Sequence, residues 1–301
     1  MVVRLNEIDG QEKRVFLITG ANSGLGYETS KFLLGKGATI IMCCRDLLLG
    51  ERAKQKLLKF NLPGKIELVE LDLSDLVKVK NFSDFIKNKF NYLDVLINNA
   101  GIMAPPKTLS QQGLEIQFAV NHLAHMHLTL ELLPLLKEKD NSRVVTVTSG
   151  VQYFGSIKWD DLQGKLKYDR WASYSQSKLA NVMFGLELNS KLKESNSKTS
   201  SLLAHPGFAR TNLQPKSVEA NQSWQEELAY KFMDPMFQSA KMGALPQIAA
   251  AILPNAKGGE QYGPRYSFRG YPKKCKNAPQ ALNHHSRKRL WNLSEKLIKI
   301  S

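Results

Sequence analysis

A tyrosine and a lysine lie four positions apart in the stretch "YSQSK", where they are Tyr174 and Lys178. On a helix this spacing places both side chains on one face, one turn apart. Both residue types serve enzymes in proton transfer, so the two form a candidate catalytic pair. The same spacing occurs at Tyr27 and Lys31 in "YETSK", so the position of each pair in the fold must decide which one is catalytic.

A glycine-rich turn, "TGANSGLG" at 19–26, follows the first apolar run and opens the first predicted helix. Gly20, Gly24 and Gly26 permit a tight turn and a close approach of backbone to phosphate. The N–H groups and the positive dipole end of the following helix suit a pyrophosphate. This context predicts a dinucleotide site. It also places Tyr27 at the start of a helix below the cofactor, from which a substrate is hard to reach.

The end of the second predicted strand indicates which dinucleotide binds. Enzymes that use NAD usually place a carboxylate there to hold the ribose 2′-hydroxyl. This strand ends at Cys44, without a carboxylate, and Arg45 follows, which can pair with a 2′-phosphate. Asp46 is expected to cap the next helix. The sequence therefore favours NADP(H); the alternative is that Arg45 is a surface arginine and selectivity is mixed.

These motifs lie within a regular alternation of strands and helices. Apolar runs predict six strands, at 14–19, 39–44, 65–72, 94–101, 143–150 and 199–207. Helical patterns occur between them, from about 25 to 34, at 47–60, from 74, at 114–138 and at 173–193. The alternation predicts an α/β fold with a doubly wound, Rossmann-type, mostly parallel sheet and helices on both faces.

The carboxyl end of the fifth predicted strand carries Ser149, and Tyr174 lies on the helix that follows. Ligands in open α/β sheets bind in the crevice beyond the strand carboxyl ends. Ser149, Tyr174 and Lys178 are therefore expected to face a substrate, which favours this pair over Tyr27 and Lys31.

No linker, repeat or low-complexity tract divides the 301 residues, which predicts a single dinucleotide-binding domain over 1–301. The less regular region 208–253 is expected to cap the site, or else to form surface helices and loops. A basic segment, 255–301, completes the chain.

Composition is that of an ordinary globular protein, with 43% hydrophobic and 23% charged residues. No apolar run approaches the roughly 18 residues that span a membrane, and the first residues are too polar for a signal peptide. Three cysteines show neither metal spacing nor a disulfide framework. A soluble cytoplasmic protein is the expectation.

The net charge of +15 is concentrated near the end of the chain, where residues 255–300 hold eleven Lys or Arg against Glu260 and Glu295. Such a segment fits nucleic acid, a membrane surface or a solvated basic face. No nucleic-acid motif accompanies it, so we favour the solvated face and predict no nucleic-acid partner. Leu290, Leu293 and Leu297 share one helical face, which could pack on the domain or make weak contact with a membrane.

Seven motifs in order give a resemblance that covers essentially the whole chain. They are "TGANSGLG", "LDLSD", "NNAG", "NHLAH", "TSG", "YSQSK" and "HPG". In this order they resemble the short-chain dehydrogenase/reductase family. "WDDL", "SKLANVMFGLEL", "HPGFARTNL" and the 25-residue gap between Ser149 and Tyr174 are similar to its retinol-dehydrogenase-like branch.

The resemblance implies a role for each catalytic residue. Tyr174 would be the general acid in reduction and the base in oxidation, with Lys178 stabilising the tyrosinate and gripping the nicotinamide ribose. Ser149 would hydrogen-bond the substrate oxygen. Asn121, in "NHLAH", would support a water chain that relays a proton from Lys178; the alternative is a satisfied core amide. The substrate would be an apolar carbonyl compound or alcohol.

The resemblance also implies a set of cofactor-binding residues. They are Gly20, Asn22, Ser23, Gly24, Leu25, Gly26, Arg45, Asp72, Leu73, Asn98, Ala100, Gly101, Tyr174, Lys178, Pro206, Gly207 and Thr211. Asp72 would contact adenine, Asn98 and Gly101 would line the adenosine side, and the segment 206–211 would flank the nicotinamide. Helices carrying Asn121 and Tyr174 often form subunit interfaces in the family, which leaves a homo-oligomer open.

Two other functions remain as alternatives. Light-dependent protochlorophyllide reductases are similar, but they typically have a cysteine after "HPG", where this chain has Phe208. A non-catalytic NADP-binding sensor would not need Ser149, Tyr174 and Lys178 together. A metal site at His122, His125 and His127 is not expected, because no acidic or cysteine partner accompanies them. The aromatic residues of the insert 150–172 could line a substrate mouth or fix the loop.

Overall fold

A computed structural model describes most of the chain, namely residues 5, 8, 10–210, 217, 219, 221 and 237–299. Its strands are β1 (Val15–Thr19), β2 (Thr39–Cys44), β3 (Lys65–Glu70), β4 (Val95–Asn98), β5 (Arg143–Val147), β6 (Ser200–Ala204), β7 (Gln261–Pro264) and β8 (Pro272–Cys275). Within the described residues they form one sheet in the order β3-β2-β1-β4-β5-β6-β7-β8. Every pairing is parallel except that of β7 with β8.

Helices cover both faces of this sheet. They are α1 (Gly24–Gly35), α2 (Leu47–Leu58), α3 (Leu76–Lys89), α4 (Ile116–Phe118), α5 (Ala124–Lys137), α6 (Arg170–Glu194), α7 (Ala240–Ile252) and α8 (His284–Lys299). The predicted doubly wound, mostly parallel α/β fold is confirmed.

The strands divide their side chains between two cores, because successive residues of a strand point to opposite faces. Phe16 and Ile18 of β1 lie in one cluster with α7, while Val15 and Leu17 lie in another with α5. Burial on both faces explains why the strand sequences are continuously apolar.

The order of the strands determines where a ligand binds. The chain moves outward from β1 to β3 and then returns to place β4 on the other side of β1. At such a switch point the loops after β1 and β4 separate and open a crevice. Residues that follow β1, β4 and β5 therefore meet at one edge of the sheet, which we call the carboxyl edge.

The structure departs from the sequence-based expectations in two places that matter for function. The predicted helix 114–138 is divided, with a π-helical segment, Ala119–Leu123, between α4 and α5. The sequence had also given no strands after β6, whereas β7 and β8 form an antiparallel hairpin at the sheet end. Leu290 is buried and Leu293 and Leu297 pack against the core, so the apolar face of α8 belongs to the domain.

Candidate active site

Tyr174 and Lys178 both lie on α6 and are both buried, with 5% and 4% of their surface exposed. Lys178 Nζ lies 5.8 Å from the centroid of the Tyr174 ring. Burial disfavours the charged ammonium and lowers the pKa of Lys178 to about 8. An ammonium placed so near a phenol favours the tyrosinate, which is what a tyrosine base requires.

Asn121 connects the loop after β4 to helix α6. Its Oδ1 accepts a hydrogen bond from Ile102 N at 2.8 Å, and its Nδ2 donates to Ile102 O at 3.0 Å. The same Nδ2 donates to Ser177 Oγ at 2.9 Å, and Ser177 Oγ donates to Tyr174 O. Asn121 lies in the π-helical segment, a feature that often marks functional sites. These bonds hold the helix turn that carries Tyr174.

Gly101 marks the point where these side chains converge. A Cβ atom built on Gly101 would lie 3.0 Å from Asn121 Oδ1 and 3.2 Å from Lys178 Nζ. The end of β4, the π-helical segment and α6 therefore meet at one place. Gly101 lies beside Lys178, and three strand spacings of about 4.8 Å separate β4, which Gly101 follows, from β3, which Asp72 follows. That Gly101 lines the adenosine side stays a prediction.

Ser149 follows β5 and is the N-cap of a short 3₁₀ helix, Gly150–Phe154. Its hydroxyl accepts only a long contact of 3.5 Å from Val151 N. The neighbouring Thr148 donates to Lys178 O at 2.8 Å, which fixes α6 against the end of β5. Ser149 thus lies on the same edge as the tyrosine–lysine pair.

The glycine loop has the geometry expected of a phosphate cradle. Gly20 and Gly24 have φ angles of 64° and 52°, in the left-handed region that favours glycine. A Cβ on Gly26 would overlap Gly20 O, so the loop and α1 touch closely there. Asn22 and Ser23 lie between the glycines, and Ser23 is the N-cap of α1 without a side-chain capping bond. Its hydroxyl and the first-turn N–H groups suit an anion.

Asn99 and Gln247, which the sequence did not single out, hold this loop in place. Asn99 Nδ2 donates to Thr19 O at 2.7 Å, and Gln247 Nε2 donates to Asn99 Oδ1 at 3.2 Å. Gln247 comes from α7, far along the chain. Asn99 is the second asparagine of "NNAG". Side chains of successive residues at a strand end point to opposite faces, and this alternation could have indicated that only one of the two asparagines faces the glycine loop.

Asn98, the first asparagine of that motif, points towards α5 instead. It is 1% exposed, and its Nδ2 donates to Thr129 Oγ1 on α5 at 2.9 Å. Leu73 is buried in the hydrophobic core. The structure therefore does not bring either side chain to the glycine loop. Ala100 donates its N–H to Thr19 Oγ1, and Thr211 lies outside the described residues.

A buried histidine links the end of β1 to the π-helical segment. His125 Nδ1 lies 3.1 Å from Asn121 O, and His125 Nε2 lies 2.9 Å from Thr19 Oγ1. A carbonyl oxygen only accepts, so we assign the proton to Nδ1 and let the threonine hydroxyl donate to Nε2. Burial lowers the pKa of His125 to about 4, so the ring is neutral at pH 7.

The other two histidines of this helix have separate partners. His122 Nε2 lies 2.9 Å from Ser294 Oγ on α8, and His127 Nε2 lies 3.8 Å from Glu131 Oε1. His122 and His125 are therefore hydrogen-bonded to separate partners, and His127 lies near a carboxylate. Among the residues that the structure describes, no group of His, Cys, Asp and Glu could hold a metal.

Arg45 and Asp72 lie at the expected adenosine end of the crevice. Asp46 Oδ1 accepts from Leu49 N at 2.9 Å, so Asp46 caps α2 as predicted and Arg45 stays exposed. Burial alone would raise the pKa of Asp72, but hydrogen bonds from Ser74 and the charges of Lys78 and Arg45 outweigh it and lower that pKa. Arg45 and Lys78 therefore lie near the Asp72 carboxylate.

The segment after β6 is fastened by Gln238. Its Nε2 donates to Pro206 O at 2.7 Å, and its backbone N donates to Phe208 O at 2.8 Å. Gly207 has a φ of 66°, and a Cβ there would overlap Phe268 O. Leu25, at the start of α1, lies close to Gly243 of α7. Pro206 and Gly207 thus occupy a fixed turn at the carboxyl edge.

The alternative pair, Tyr27 and Lys31, has other surroundings. Lys31 Nζ lies 3.4 Å from the centroid of the Phe60 ring, beyond the end of α2. Tyr27 packs at the edge of a core cluster, and burial followed by the Glu28 charge raises its pKa. A raised pKa makes tyrosinate rarer, which is the opposite of what a tyrosine base needs.

The aromatic residues of the insert between Ser149 and Tyr174 have different contacts. Tyr153 donates to Lys276 O at 2.6 Å, and Trp159 lies under Arg289, 4.3 Å from its guanidinium carbon. These two fix the loop. Trp171 instead packs edge-to-face on Tyr174, with ring centroids 6.3 Å apart, and forms apolar surface beside the candidate site.

Comparison with known proteins gives consistent relatives. Residues 14–222 match the family model described as short chain dehydrogenase. Retinol dehydrogenase 12 of Bos taurus is 35% identical over 287 residues, which cover 95% of this chain and 87% of that protein. Retinol dehydrogenase 14 of Mus musculus is 36% identical over an alignment of 310 residues, which covers 95% of this chain and 86% of that protein. The crystal structure of an uncharacterized protein from Mycobacterium paratuberculosis matches with a TM-score of 0.82 and 37% sequence identity. The match covers 99% of this chain and 98% of that chain.

The fold and the family match define the class of protein: it is an NAD(P)-dependent oxidoreductase. The chain belongs to the short-chain dehydrogenase family, and within it to the retinol-dehydrogenase-like branch.

Proposed function

We propose that the protein interconverts a carbonyl group and an alcohol on an apolar small molecule, using NADP(H), with Tyr174 as the general acid and base. Gly101, Asn121 and Lys178 converge at one point, and hydrogen bonds from Asn121 through Ser177 hold the helix turn that carries Tyr174. This convergence is the observation that carries the proposal. A protein that only sensed the dinucleotide would not need a buried lysine beside a phenol.

The chain's own residues divide the work of the proposed reaction. When bound, the nicotinamide would supply or accept the hydride. The glycine loop and the N-terminus of α1 would hold the phosphates, and Arg45 the 2′-phosphate. Ser149 would hydrogen-bond the substrate oxygen, and the Tyr174 hydroxyl would donate a proton to it during reduction. Lys178 would stabilise the resulting tyrosinate, and Asn121 would hold the surrounding backbone.

Four aromatic side chains support an apolar substrate. Trp171 packs on Tyr174, while Phe208 follows the fixed turn after β6 and has ring contacts with Phe237 and Phe268. Relatives named retinol dehydrogenases bear the name of an apolar alcohol.

Part of the proposed cap contacts the loop after β4, since Asn221 Nδ2 donates to Ala104 O at 2.9 Å.

Activity should rise with the apolar size of the substrate. In a series of straight-chain aldehydes with NADPH, we expect kcat/KM to increase several-fold for each added methylene until the pocket is full. The physical reason is that each buried methylene is worth about 0.8 kcal/mol. Cofactor absorbance measures the rate. A preference for small charged sugars or hydroxy acids would contradict the proposal.

NADPH should bind more tightly than NADH, and Arg45→Ala should reduce that preference. The expected loss is about 1.5 to 3 kcal/mol, the range for a hydrogen bond to a charged group. Fluorescence titration of both cofactors with both proteins measures it.

Arg52→Ala is the matched control, because Arg52 is an exposed arginine farther along α2. It should leave the ratio of the two dissociation constants unchanged. Equal affinities of the unmutated protein for NADPH and NADH would show that Arg45 does not select the cofactor.

A further inference from the structure

The β7–β8 hairpin ends in a tip that combines aromatic and basic residues. The stretch 265–274, "RYSFRGYPKK", contains three aromatic and four basic residues and no acidic one. Tyr266 and Tyr271 are 60% and 55% exposed, and Phe268 is 37% exposed. Apolar rings in water carry a free-energy cost, so a cluster of them on a surface generally marks an interaction site.

The tip has a defined backbone conformation. Arg265 N donates to Tyr271 O at 2.8 Å, and Tyr266 N donates to Arg269 O at 3.1 Å, which closes the turn. The Arg265 guanidinium lies 5.6 Å from the centroid of the Tyr266 ring. The aromatic and basic groups are therefore presented together.

The topology places this tip beside the candidate active site. Strand β7 runs parallel to β6, so its carboxyl end lies at the same edge of the sheet as Ser149 and Pro206. Phe208 N donates to Phe268 O at 2.7 Å, and the two rings lie 6.3 Å apart. A partner that binds the hairpin tip would therefore also lie next to the segment that follows β6.

We propose that the hairpin tip docks on an anionic lipid bilayer. Tyrosine suits the interfacial region of a membrane because its ring is apolar and its hydroxyl is polar. Arg265, Arg269 and Lys273 would meet lipid phosphates and carboxylates, and each basic residue near such a surface strengthens partitioning about fivefold. Within the described residues the structure has no helix that could span a bilayer.

The charge around the tip supports this partner. Residues 255–300 contain eleven basic residues and two acidic ones, Glu260 and Glu295. Glu260 is paired with Lys274 at 2.6 Å, and Arg287 with Glu187 at 3.3 Å, which leaves the basic residues in excess. Docking at the carboxyl edge would bring the proposed site towards the bilayer, where apolar carbonyl compounds and alcohols accumulate. The docking itself does not depend on the proposed activity, because binding is measured without turnover.

The experiment is co-sedimentation of the full chain with vesicles of phosphatidylcholine alone and of phosphatidylcholine with phosphatidylserine. The protein should sediment with the anionic vesicles only. Binding should fall when salt is raised from about 0.1 M to about 1 M, because the screening length shrinks from about 10 Å to about 3 Å. Arg265→Glu with Arg269→Glu should weaken binding at least about 30-fold.

Matched variants on another part of the surface serve as controls. Lys56→Glu with Lys59→Glu makes the same change of charge at exposed positions at the far end of α2, and binding should change much less. Tyr266→Ser with Tyr271→Ser should also weaken binding, whereas Phe60→Ser with Phe85→Ser, at 50% and 46% exposed positions, should not.

Three results would overturn the proposal: no sedimentation with anionic vesicles, equal binding to neutral ones, or hairpin variants that bind like the unmutated protein. Binding to a DNA duplex without binding to vesicles would likewise overturn it and assign the basic surface to nucleic acid. Loss of vesicle binding with unchanged turnover of a water-soluble aldehyde would separate docking from catalysis.

Discussion

Replacing Tyr174 by phenylalanine should lower turnover by a factor on the order of 10² to 10⁴, the usual contribution of a general acid or base. The substitution removes one hydroxyl and keeps the ring. The packing with Trp171 and the bond from Ser177 Oγ to the Tyr174 backbone therefore remain. Folding and cofactor affinity should be nearly unchanged. Steady-state rates on the best aldehyde, with a fluorescence titration of NADPH, measure both.

Tyr27→Phe is the control, since Tyr27 has the same spacing to a lysine but lies at the glycine loop. It should leave turnover nearly unchanged. Near-full activity of Tyr174→Phe would refute the assignment. So would a larger loss of turnover in Tyr27→Phe while that variant still binds NADPH.

Lys178→Met should lower turnover about 10²-fold or more and, at the same time, raise the free energy of unfolding at pH 7. In the proposed mechanism, the loss of activity follows from removing the charge that would stabilise the tyrosinate. The gain in stability follows from burial, which lowers the pKa of Lys178 from 10.5 to about 8 in the folded protein. Below pH 8 the folded chain bears the full cost of a buried ammonium, on the order of 3 kcal/mol.

The pH dependence gives this prediction a definite sign. Between pH 8 and 10.5 the unfolded chain still holds the proton on Lys178 while the folded chain has released it. The stability of the unmutated protein therefore rises with pH in this window relative to the variant, and the difference disappears near pH 10.5. Urea unfolding of both cofactor-free proteins across this range measures it.

Lys31→Met provides the comparison, because Lys31 contacts the face of Phe60. It should keep turnover. A Lys178→Met variant that is less stable than the unmutated protein at every pH would contradict the cost assigned to the buried charge. A variant that keeps its turnover would remove Lys178 from the proposed mechanism.

Local sequence patterns were sufficient for the central part of the fold. The predicted strand 39–44 has the same bounds as β2, and the glycine loop lies between β1 and α1 as expected. A continuous apolar run or a glycine turn makes most of its contacts within a few residues or with the next strand. Such contacts leave a readable pattern in the sequence.

Long-range contacts left no such pattern. The strands of the β7–β8 hairpin contain Pro264 and Pro272 and have little apolar alternation, so they are strands because they pair with each other and with β6. Asn98 and Asn99 are neighbours of one type, but one faces Thr129 and the other faces the glycine loop. A shift of one residue at a strand end reverses the direction of the side chain.

The sequence by itself determined which chemical groups are available: a glycine-rich loop, an arginine after β2, a serine after β5 and two tyrosine–lysine pairs. Only the tertiary structure decided their environments. Both pairs share one helical spacing, yet Lys178 is buried between the ends of β4 and β5 while Lys31 lies on the Phe60 ring. Burial determines the pKa of a lysine, and it depends on residues far away in the chain that the spacing of the pair cannot specify.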